Sequence, residues 1–422
     1  MYLSQLAQAH SPSSDRAIRT VIVIGAGVVG MATAYCLARA GMAVTIVDRA
    51  AEPGSGASHA NGAQLSYVYT DALANPALIR HMPALLMGMD PAFRFRPSFD
   101  PDQISWLLAF LRNATKARFE ANTLAGLELG LQSRRAMHAL LDRHDLAFLH
   151  RQAGKIHIHQ DVATFASAAR MVELKRPYGA VQEVLNEAEV RAIEPALAGR
   201  DQAIAGAILT PQEEVGDPRL FCIAMKDLLV RDYGVQTRFG STVTNLSDDG
   251  DSAEVALADG EMLTGDHVVI CAGIAARRLI RQVGVRSPLM GMKGYSFNAP
   301  PGAQPPLHSI TDVARKLVFC QLGDDIRIAG LAELGGRGSD VVPRRIAMLK
   351  ASAETALPKA ADYTRASDGW AGIRPMSPTS LPDTRQVSRH VSINVGHGML
   401  GWTFAMGSAE HIASQLLQGA AA

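Results

Sequence analysis

The chain has 422 residues, which is too long for one ordinary hydrophobic core and predicts two domains. Its hydrophobic content is 48%, its charged content is 19% and its formal net charge is +1. This composition is typical of a folded protein and predicts no nucleic-acid partner. The four cysteines lie far apart in apolar stretches, without metal-ligand spacing. They predict buried free thiols, a reducing cytoplasmic compartment and no metal site.

The first ordered element is a βαβ pattern over residues 20–50. Residues 1–17 are polar, without the apolar core of a signal peptide, and are interpreted as a loose N-terminal extension. An apolar strand at 21–24 leads into glycines and a helix, and a second strand at 43–47 ends at Asp48. Parallel crossovers of this kind belong to doubly wound sheets.

The remaining chain mixes helical and strand patterns. Helices are predicted within 76–145, over 217–234 and 343–356, and from about Thr403 to Leu417. Strands are predicted at 154–160, in antiparallel pairs over 235–273, at 293–299, 316–321 and 326–331, and at 391–395. Parallel ends around an antiparallel middle predict two domains that interleave in sequence. One is a Rossmann-type α/β domain over 18–75, 205–285 and 375–422, and the other is an α+β substrate-binding domain on an antiparallel sheet over 76–204 and 286–374.

The motif "GAGVVG" predicts dinucleotide binding. Gly25 permits a tight turn, Gly27 lets a pyrophosphate approach the backbone, and Gly30 allows the helix to pack closely on the strand. The helix N-terminus favours phosphates, and Asp48, about twenty residues further on, can accept hydrogen bonds from ribose hydroxyls. The motif alone does not distinguish NAD from FAD. Segments 268–273 and 392–403 are also predicted to belong to this domain. A nucleotide-binding domain built from three separate segments favours a flavin.

Eight stretches, in order, resemble the D-amino-acid oxidase-like flavoproteins, and most closely their bacterial D-amino-acid dehydrogenase branch. They are "VIVIGAGVVG", "GASHANGAQLS", "RNATKARFEANT", "IEPAL", "GDPRLF", "MKGYSF", "WAGIRPMSP" and "GHGMLGWTFAMGS". The resemblance covers nearly all of the chain from Thr20 to Gly419. It implies an FAD enzyme that oxidises an amino acid by hydride transfer from Cα to flavin N5. The imino acid then hydrolyses to a 2-oxo acid and ammonia.

The resemblance also implies a set of FAD contacts in this chain. They are Gly25, Gly27, Val28, Val29, Gly30, Asp48, Arg49, Ser58, His59, Asn61, Gly62, Gln64, Leu65, Val243, Ala272, Gly273, Gly398, Met399, Leu400, Gly401, Trp402 and Thr403. The setting "HANG" is similar to one in which distant relatives bond a histidine to the flavin. His59 is therefore either a covalent attachment point or a loop histidine near the phosphates, and we favour non-covalent FAD. The final helix is expected to point its N-terminus at the pyrimidine side of the ring, where a positive dipole end stabilises reduced flavin.

Two residues are predicted at the substrate. The resemblance gives Arg374, in "WAGIRP", the role of binding the substrate carboxylate, and a guanidinium pairs well with both carboxylate oxygens. The alternative is a structural salt bridge. Tyr295, in "MKGYSF", either reaches the carboxylate or packs in the core. His397 is interpreted as part of the glycine turn rather than as a base.

The electron acceptor and location follow from the resemblance alone. The dehydrogenase branch passes electrons to a quinone or another acceptor and attaches peripherally to the cytoplasmic membrane. Residues 79–97 mix apolar side chains with arginines, so they are either an interfacial patch or a helical pair inside the substrate domain. The oligomeric state is left open.

Three other functions remain open at this stage. The nearest is a dehydrogenase or oxidase of cyclic or N-alkylated amino acids, such as D-hydroxyproline or sarcosine, on the same fold. A second is an NAD-dependent Rossmann dehydrogenase. A third is a non-catalytic flavoprotein subunit that transfers electrons within a complex.

Overall fold

The computed structural model describes residues 18–77, 79, 89–248, 250–336 and 338–419. The extension predicted at 1–17 lies outside the described residues, and so do residues 80–88 of the apolar stretch 79–97. Two large sheets organise the described part of the chain. None of its helices contains a segment long and apolar enough to cross a bilayer.

The first sheet, here called the parallel sheet, has six strands in the described residues. In spatial order they are Gln236–Arg238, Ala43–Val47, Thr20–Ile24, His267–Ile270, Val391–Val395 and Asp383–Ser388. All neighbours pair in parallel except the last two, which are antiparallel. A sheet of this kind is covered on both faces, so its central strands are continuously apolar.

Alternate residues of the first strand enter different cores. Val21 and Val23 pack with the helices Val28–Arg39, Pro218–Tyr233 and Gly401–Gly419. Ile22 and Ile24 pack on the other face, against a three-stranded antiparallel sheet and a short helix. These last elements are Val243–Asp248, Ala253–Leu257, Met262–Gly265 and Ala276–Gln282. The predicted βαβ unit and doubly wound sheet are confirmed.

The second sheet, here called the large sheet, has nine strands in the described residues. Eight follow the order Trp370–Met376, Met290–Ala299, Asp325–Leu334, Leu317–Leu322, Ser309–Asp312, Lys155–His159, Gly206–Thr210 and Glu183–Leu185, and Phe93–Phe95 pairs with Asp325–Leu334. One face packs on the helix Pro343–Ala356 through Ile346 and Leu349, and forms an apolar core. The opposite face carries most of the polar residues described below, and we call it the site face.

Smaller elements connect the two sheets. The helix Pro218–Tyr233 shows why the sequence folds as predicted: Asp217 Oδ1 accepts from the amides of Arg219 and Leu220, Pro218 begins the helix, and Gly234 ends it in the left-handed conformation. A three-stranded sheet joins Gln64–Leu65, Glu214–Val215 and Arg151–Gln152. Other helices of the described ranges are Pro101–Asn113, Lys116–Leu141, Val162–Lys175 and Glu187–Ile193, with 3₁₀ turns at Arg176–Tyr178, Pro195–Gly199, Gly273–Ala275, Tyr363–Arg365 and Gly398–Leu400.

Two details of the predicted organisation differ from the structure. Gly206–Thr210 pairs with Lys155–His159 in the large sheet, although the predicted boundary at 205 assigned it to the nucleotide domain. Gln236–Arg238 pairs in parallel with Ala43–Val47 rather than with its antiparallel sequence neighbours. In both cases the partner strand is distant in sequence, so local pattern carries no information about it. The helix Pro343–Ala356 matches its prediction, and the last helix begins at Gly401.

Candidate active site

The glycine turn after the first strand forms a close-packed cradle. Gly25 has a φ of +111°, and a Cβ built on it would lie 2.6 Å from the carbonyl oxygen of Cys271. A Cβ on Gly30 would overlap the carbonyl oxygen of Gly25. The first intrahelical bond runs from the Met31 amide to the Gly27 carbonyl, 2.9 Å. The amides of residues 28–30 therefore precede the helix ladder; that of Val28 donates to Ser58 Oγ, and those of residues 29 and 30 lie where an anion site requires them.

The residues predicted around the ribose lie beside this cradle. Asp48 Oδ2 accepts from the Ala26 amide at 2.7 Å and Oδ1 from the Ala50 amide at 2.8 Å, which fixes the carboxylate at the turn. The amide of Ser241 donates to the Asp48 carbonyl, so the chain leading to Val243 runs alongside. The Val243 side chain itself packs in the core and Arg49 is exposed. On the other side, the Cα of Ala272 lies next to Gly25, and Gly273 follows in a left-handed turn.

Residues 58–65 run between the two sheets. Ser58 is buried and its Oγ accepts from the Val28 amide at 3.1 Å, so this end contacts the glycine cradle. The other end lies on the site face, where Gln64 Nε2 donates to Ser309 Oγ at 2.5 Å.

Between these ends, side chains of the large sheet bind the backbone of the segment. Ser296 Oγ donates to the Ala60 carbonyl at 2.5 Å, and Arg327 Nη1 donates to the Asn61 carbonyl at 3.2 Å. Cys320 Sγ donates to the Gly62 carbonyl at 3.2 Å. Two side chains of the segment are used within the protein: Asn61 Oδ1 accepts from the Ala63 amide of its own loop, and Leu65 is buried in the helical core.

The second glycine turn precedes the last helix. Gly396 and Gly398 have φ of +81° and +57°, and residues 398–400 form a 3₁₀ turn in which Met399 is exposed. Leu400 donates its amide to the His397 carbonyl, and Gly401 begins the helix. Thr403 Oγ1 accepts from the Ser66 amide at 2.9 Å, which joins this helix N-terminus to the segment just described.

The side chains of Trp402 and His397 are buried and bonded within the protein. Trp402 is buried, its Nε1 donates to the Gly216 carbonyl at 3.1 Å, and its ring packs on Phe221. His397 Nε2 lies 2.9 Å from Ser408 Oγ. Burial lowers the pKa of His397 to about 3, so the ring is neutral at physiological pH. This agrees with the interpretation of His397 as part of the turn.

Arg374 lies on the site face at one end of the large sheet. Its strand pairs with Met290–Ala299, where Met292 is opposite Arg374 and Gly294 is opposite Gly372. The guanidinium extends over Gly294, where a Cβ would lie less than 3.0 Å from it. No described residue forms an ion pair or hydrogen bond with the guanidinium of Arg374, and burial lowers the pKa of Arg374. A half-buried, unpaired guanidinium of this kind is suited to bind a carboxylate.

Two aromatic rings, those of Trp370 and His59, lie near Arg374 on the site face. Trp370, Gly372 and Arg374 are alternate residues of one strand and share a face. The Trp370 ring covers Gly372, where a Cβ would overlap the ring. His59 stacks on Trp370 with ring centroids 6.0 Å apart. Burial, and then the charges of Arg219 and Arg327, lower the pKa of His59. The segment 58–65 and the strand Trp370–Met376 therefore meet at this pair of rings.

The structure corrects the prediction for Tyr295. Residues that are opposite each other in an antiparallel pair share a face, and Tyr295 is opposite Ala371, whereas Arg374 is opposite Met292. Tyr295 is thus on the core face, where it is 1% exposed and its hydroxyl donates to Glu333 Oε1 at 3.3 Å. It does not line a pocket with Arg374.

Sequence reasoning also missed a buried polar cluster on the site face. Lys155 is 3% exposed, and its Nζ donates to Ser66 Oγ at 2.7 Å. Glu213 accepts from the amides of Tyr67 and Val68 at 2.7 and 2.8 Å. The alternation "KIHIH" over 155–159 is polar on one face only, which was the available signal.

The cradle fits a dinucleotide. Its glycines leave the backbone open where a side chain would otherwise stand, and its amides precede a helix, as a pyrophosphate needs. The same face continues through residues 58–65 to Thr403 and to the Arg374 strand. A long flavin dinucleotide, rather than a nucleotide alone, matches this extended path.

Comparison with known proteins agrees with this geometry. Residues 20–415 match the family model described as FAD dependent oxidoreductase. The chain is 38% identical over 416 residues to "D-amino acid dehydrogenase 2" of Ralstonia nicotianae, covering 95% of this chain and 97% of the relative. It is 37% identical over 400 residues to "D-amino acid dehydrogenase 2" of Pseudomonas aeruginosa, covering 94% of each chain.

Solved structures share the fold at lower identity. Glycine oxidase from Geobacillus kaustophilus superposes with a TM-score of 0.73 at 19% identity, covering 95% of each chain. L-proline dehydrogenase from P. horikoshii gives a TM-score of 0.71 at 15% identity, covering 96% of this chain and 94% of that one. The family match over nearly the whole chain settles the cofactor class that the glycine cradle left open. The chain belongs to the FAD dependent oxidoreductase family of the D-amino-acid oxidase type.

Proposed function

We propose that this protein oxidises D-amino acids to 2-oxo acids and ammonia. When bound, FAD supplies the acceptor for the hydride that leaves the substrate Cα. The protein contributes binding and orientation: Arg374 fixes the substrate carboxylate, and the ring pair His59 and Trp370 limits where the remaining atoms lie. We assign no side chain as a base.

One observation carries the proposal: the Arg374 guanidinium is half-buried, lacks an anionic partner among the described residues, and is given room by Gly294. A purely structural arginine in such a position would be paired, because partial burial of an unpaired charge is costly. A substrate carboxylate completes the pair. The relatives named D-amino acid dehydrogenase support the D configuration.

We further propose that FAD is held by the cradle at residues 25–30, by Asp48, by residues 58–65, by Ala272 and Gly273, and by the turn from Gly398 to Thr403. The side chains of Trp402, Val243 and Leu65 are buried in cores, so only their backbones are available for contact. We propose non-covalent FAD. Acid precipitation should release the yellow colour into the supernatant, whereas colour retained in the pellet would indicate a bond at His59.

The decisive experiment is an anaerobic flavin-bleaching screen with D-, L-, cyclic and N-methylated amino acids. We expect bleaching by D-amino acids in the wild type. Arg374→Leu should keep its FAD and raise the amino-acid KM at least tenfold, and Arg374→Lys should lie between the two because it keeps the charge and loses the fork. Bleaching only by cyclic or N-methylated substrates would select the alternative function, and unchanged kinetics in Arg374→Leu would refute the substrate assignment.

The electron acceptor that we propose is a quinone rather than oxygen. The name dehydrogenase, carried by the relatives, supports it. Steady-state assays with a soluble quinone and with oxygen, at equal substrate, separate the two. Faster turnover with oxygen would contradict the proposal.

We also propose that the helix Pro101–Asn113 lies at a membrane surface. Its Ile104, Leu108 and Leu111 are 47%, 50% and 45% exposed on one side, Phe99 just before it is 99% exposed, and Arg112 is exposed nearby. Apolar side chains beside a cation favour an anionic interface.

Cosedimentation with phosphatidylglycerol vesicles tests the surface. The wild type should pellet, and Leu108→Asp should stay in the supernatant. Val162→Asp, at a side chain that is 72% exposed on another helix, is the matched control and should pellet like the wild type. The proposal would be refuted if the wild type did not bind the vesicles, or if Val162→Asp lost vesicle binding as much as Leu108→Asp.

A further inference from the structure

Lys155 is a buried cation next to the residues proposed to hold the flavin. It lies on the site face of the large sheet, opposite Ser309, the residue that accepts from Gln64. Its Nζ donates to Ser66 Oγ at 2.7 Å and lies 4.9 Å from the centre of the Tyr69 ring. Ser66 directly follows the segment 58–65. No part of the substrate binding proposed above uses this lysine.

Ser66 connects Lys155 to the last helix. Its amide donates to Thr403 Oγ1 at 2.9 Å, and the Thr403 carbonyl in turn accepts from Ser133 Oγ at 2.5 Å. Thr403 stands in the first turn of Gly401–Gly419, so the helix N-terminus and the Lys155 ammonium converge on the same short stretch of chain. Both present positive charge to it.

We propose that Lys155 sets the reduction potential of the bound flavin. A hydride delivers two electrons and one proton, so the flavin gains one negative charge when it is reduced. A fixed positive charge close to the ring stabilises that charge more strongly in a dry site than in water. Lys155 is a cation that the fold holds beside this stretch, with Ser66 as the group that orients it. The proposal rests on FAD binding and is independent of which amino acid is oxidised.

The groups around Lys155 leave it charged at neutral pH. Burial lowers its pKa to about 8, and the carboxylates Glu213 and Asp71 oppose this, while Lys175 adds to it and Cys320 is also near. The pKa of Glu213 is raised to about 6, again first by burial. His157, which stacks on Tyr69, has its pKa lowered by burial and then by Lys155 and is neutral. Above about pH 8 the ammonium loses its proton and its stabilising effect.

A second buried lysine provides a matched control. Lys175 is 1% exposed, and its Nζ donates to Asp71 Oδ1 at 2.8 Å and to the Val68 carbonyl at 3.3 Å. It lies 5.7 Å from the Tyr69 ring centre but makes no contact with Ser66 among its described bonds. Loss of either lysine removes a buried cation from the same region, and only Lys155 is joined to the proposed flavin contacts.

The test compares Lys155→Met, Lys155→Arg and Lys175→Met as FAD-loaded proteins. The readouts are the flavin midpoint potential at pH 7, from reduction with xanthine and xanthine oxidase against a reference dye, and the Kd of sulfite, whose addition also places negative charge on the ring. Lys155→Met should weaken sulfite binding at least tenfold. It should also lower the equilibrium constant for flavin reduction about tenfold, which corresponds to a midpoint potential about 30 mV lower for a two-electron couple. Lys155→Arg should keep most of the wild-type value.

Several outcomes would overturn the proposal. One is a Lys155→Met protein whose flavin midpoint potential and sulfite Kd equal those of the wild type. Another is a Lys175→Met protein in which both quantities change as much as in Lys155→Met, which would point to a general loss of packing. If Lys155→Met does not fold, the wild type decides: its potential should fall more steeply with pH above about pH 8 than below it, and a constant slope contradicts the proposal. Neither readout needs an amino-acid substrate, so a failure here is distinct from a failure of the substrate assignment.

Discussion

The guanidinium of Arg374 occupies the space that a side chain at Gly294 would fill. The two residues are on neighbouring antiparallel strands, with Gly294 opposite Gly372 and Met292 opposite Arg374. The glycine in "MKGYSF" and the arginine in "WAGIRP", eighty positions apart, therefore form one structural unit.

Gly294→Ala should displace the guanidinium while leaving the cradle intact. We expect the amino-acid KM to rise at least tenfold with normal flavin content, because a guanidinium moved out of its place no longer meets the carboxylate in line. Steady-state kinetics and the flavin-to-protein absorbance ratio check this. An unaltered KM would show that Arg374 reaches its substrate by another path.

The cradle predicts opposite behaviours for two of its glycines. Gly30→Ala would drive a Cβ into the Gly25 carbonyl, so we expect an unstable protein that purifies without flavin. At Gly27 a Cβ would meet only Ser58 Oγ, at 3.2 Å, and the φ of −76° suits any residue. Gly27→Ala should therefore fold with a nearly normal Tm but bind FAD at least tenfold more weakly, as measured by apoprotein titration. Equal stability of the two variants would contradict the packing described.

The ion pair between Arg200 and Asp312 should be sensitive to loss of one partner. Nη1 and Oδ2 are 2.9 Å apart and both side chains are fully buried. Asp312→Asn should lower the free energy of unfolding by about 3–5 kcal/mol, because it leaves a buried guanidinium without its counter-charge. The exposed pair Lys116–Glu120 is the control, and Glu120→Gln should cost at most about 0.5 kcal/mol. Urea denaturation of both variants measures the difference, and similar values would argue against the buried pair.

Acid should destabilise the parallel sheet through His267. Burial, and then the charge of His390, lowers the pKa of His267 in the folded state to about 4, from an ordinary value of 6.5. The unfolded chain thus takes up a proton at a higher pH than the folded one, so stability is complete above about pH 6.5 and declines as the pH falls towards 4. The loss is about 3 kcal/mol at 1.36 kcal/mol per pKa unit.

His267→Gln tests that account, because glutamine keeps a polar partner for Ser392, whose Oγ lies 2.8 Å from His267 Nε2. The variant should lose less stability than the wild type between pH 7 and pH 4 in urea denaturation. Identical losses would assign the acid sensitivity to other groups.

Local sequence was sufficient for the parts of the site built from contiguous residues. The turn at Gly25–Gly30 and the helix start at Asp217 are defined within a few positions, and the structure has both. The side of the sheet that Tyr295 faces was not available, because it depends on the register with a strand some eighty residues away. Lys155 was missed for the same reason, since its partner Ser66 is 89 positions earlier.

The hydrogen bonds that anchor residues 58–66 have a consequence for catalysis. This segment is held to the first helix through Ser58, to the large sheet through the Ala60 carbonyl, and to the last helix through Ser66. A ligand between the sheets thus meets groups whose spacing was set during folding, and little reorganisation energy is left to be supplied at the moment of reaction.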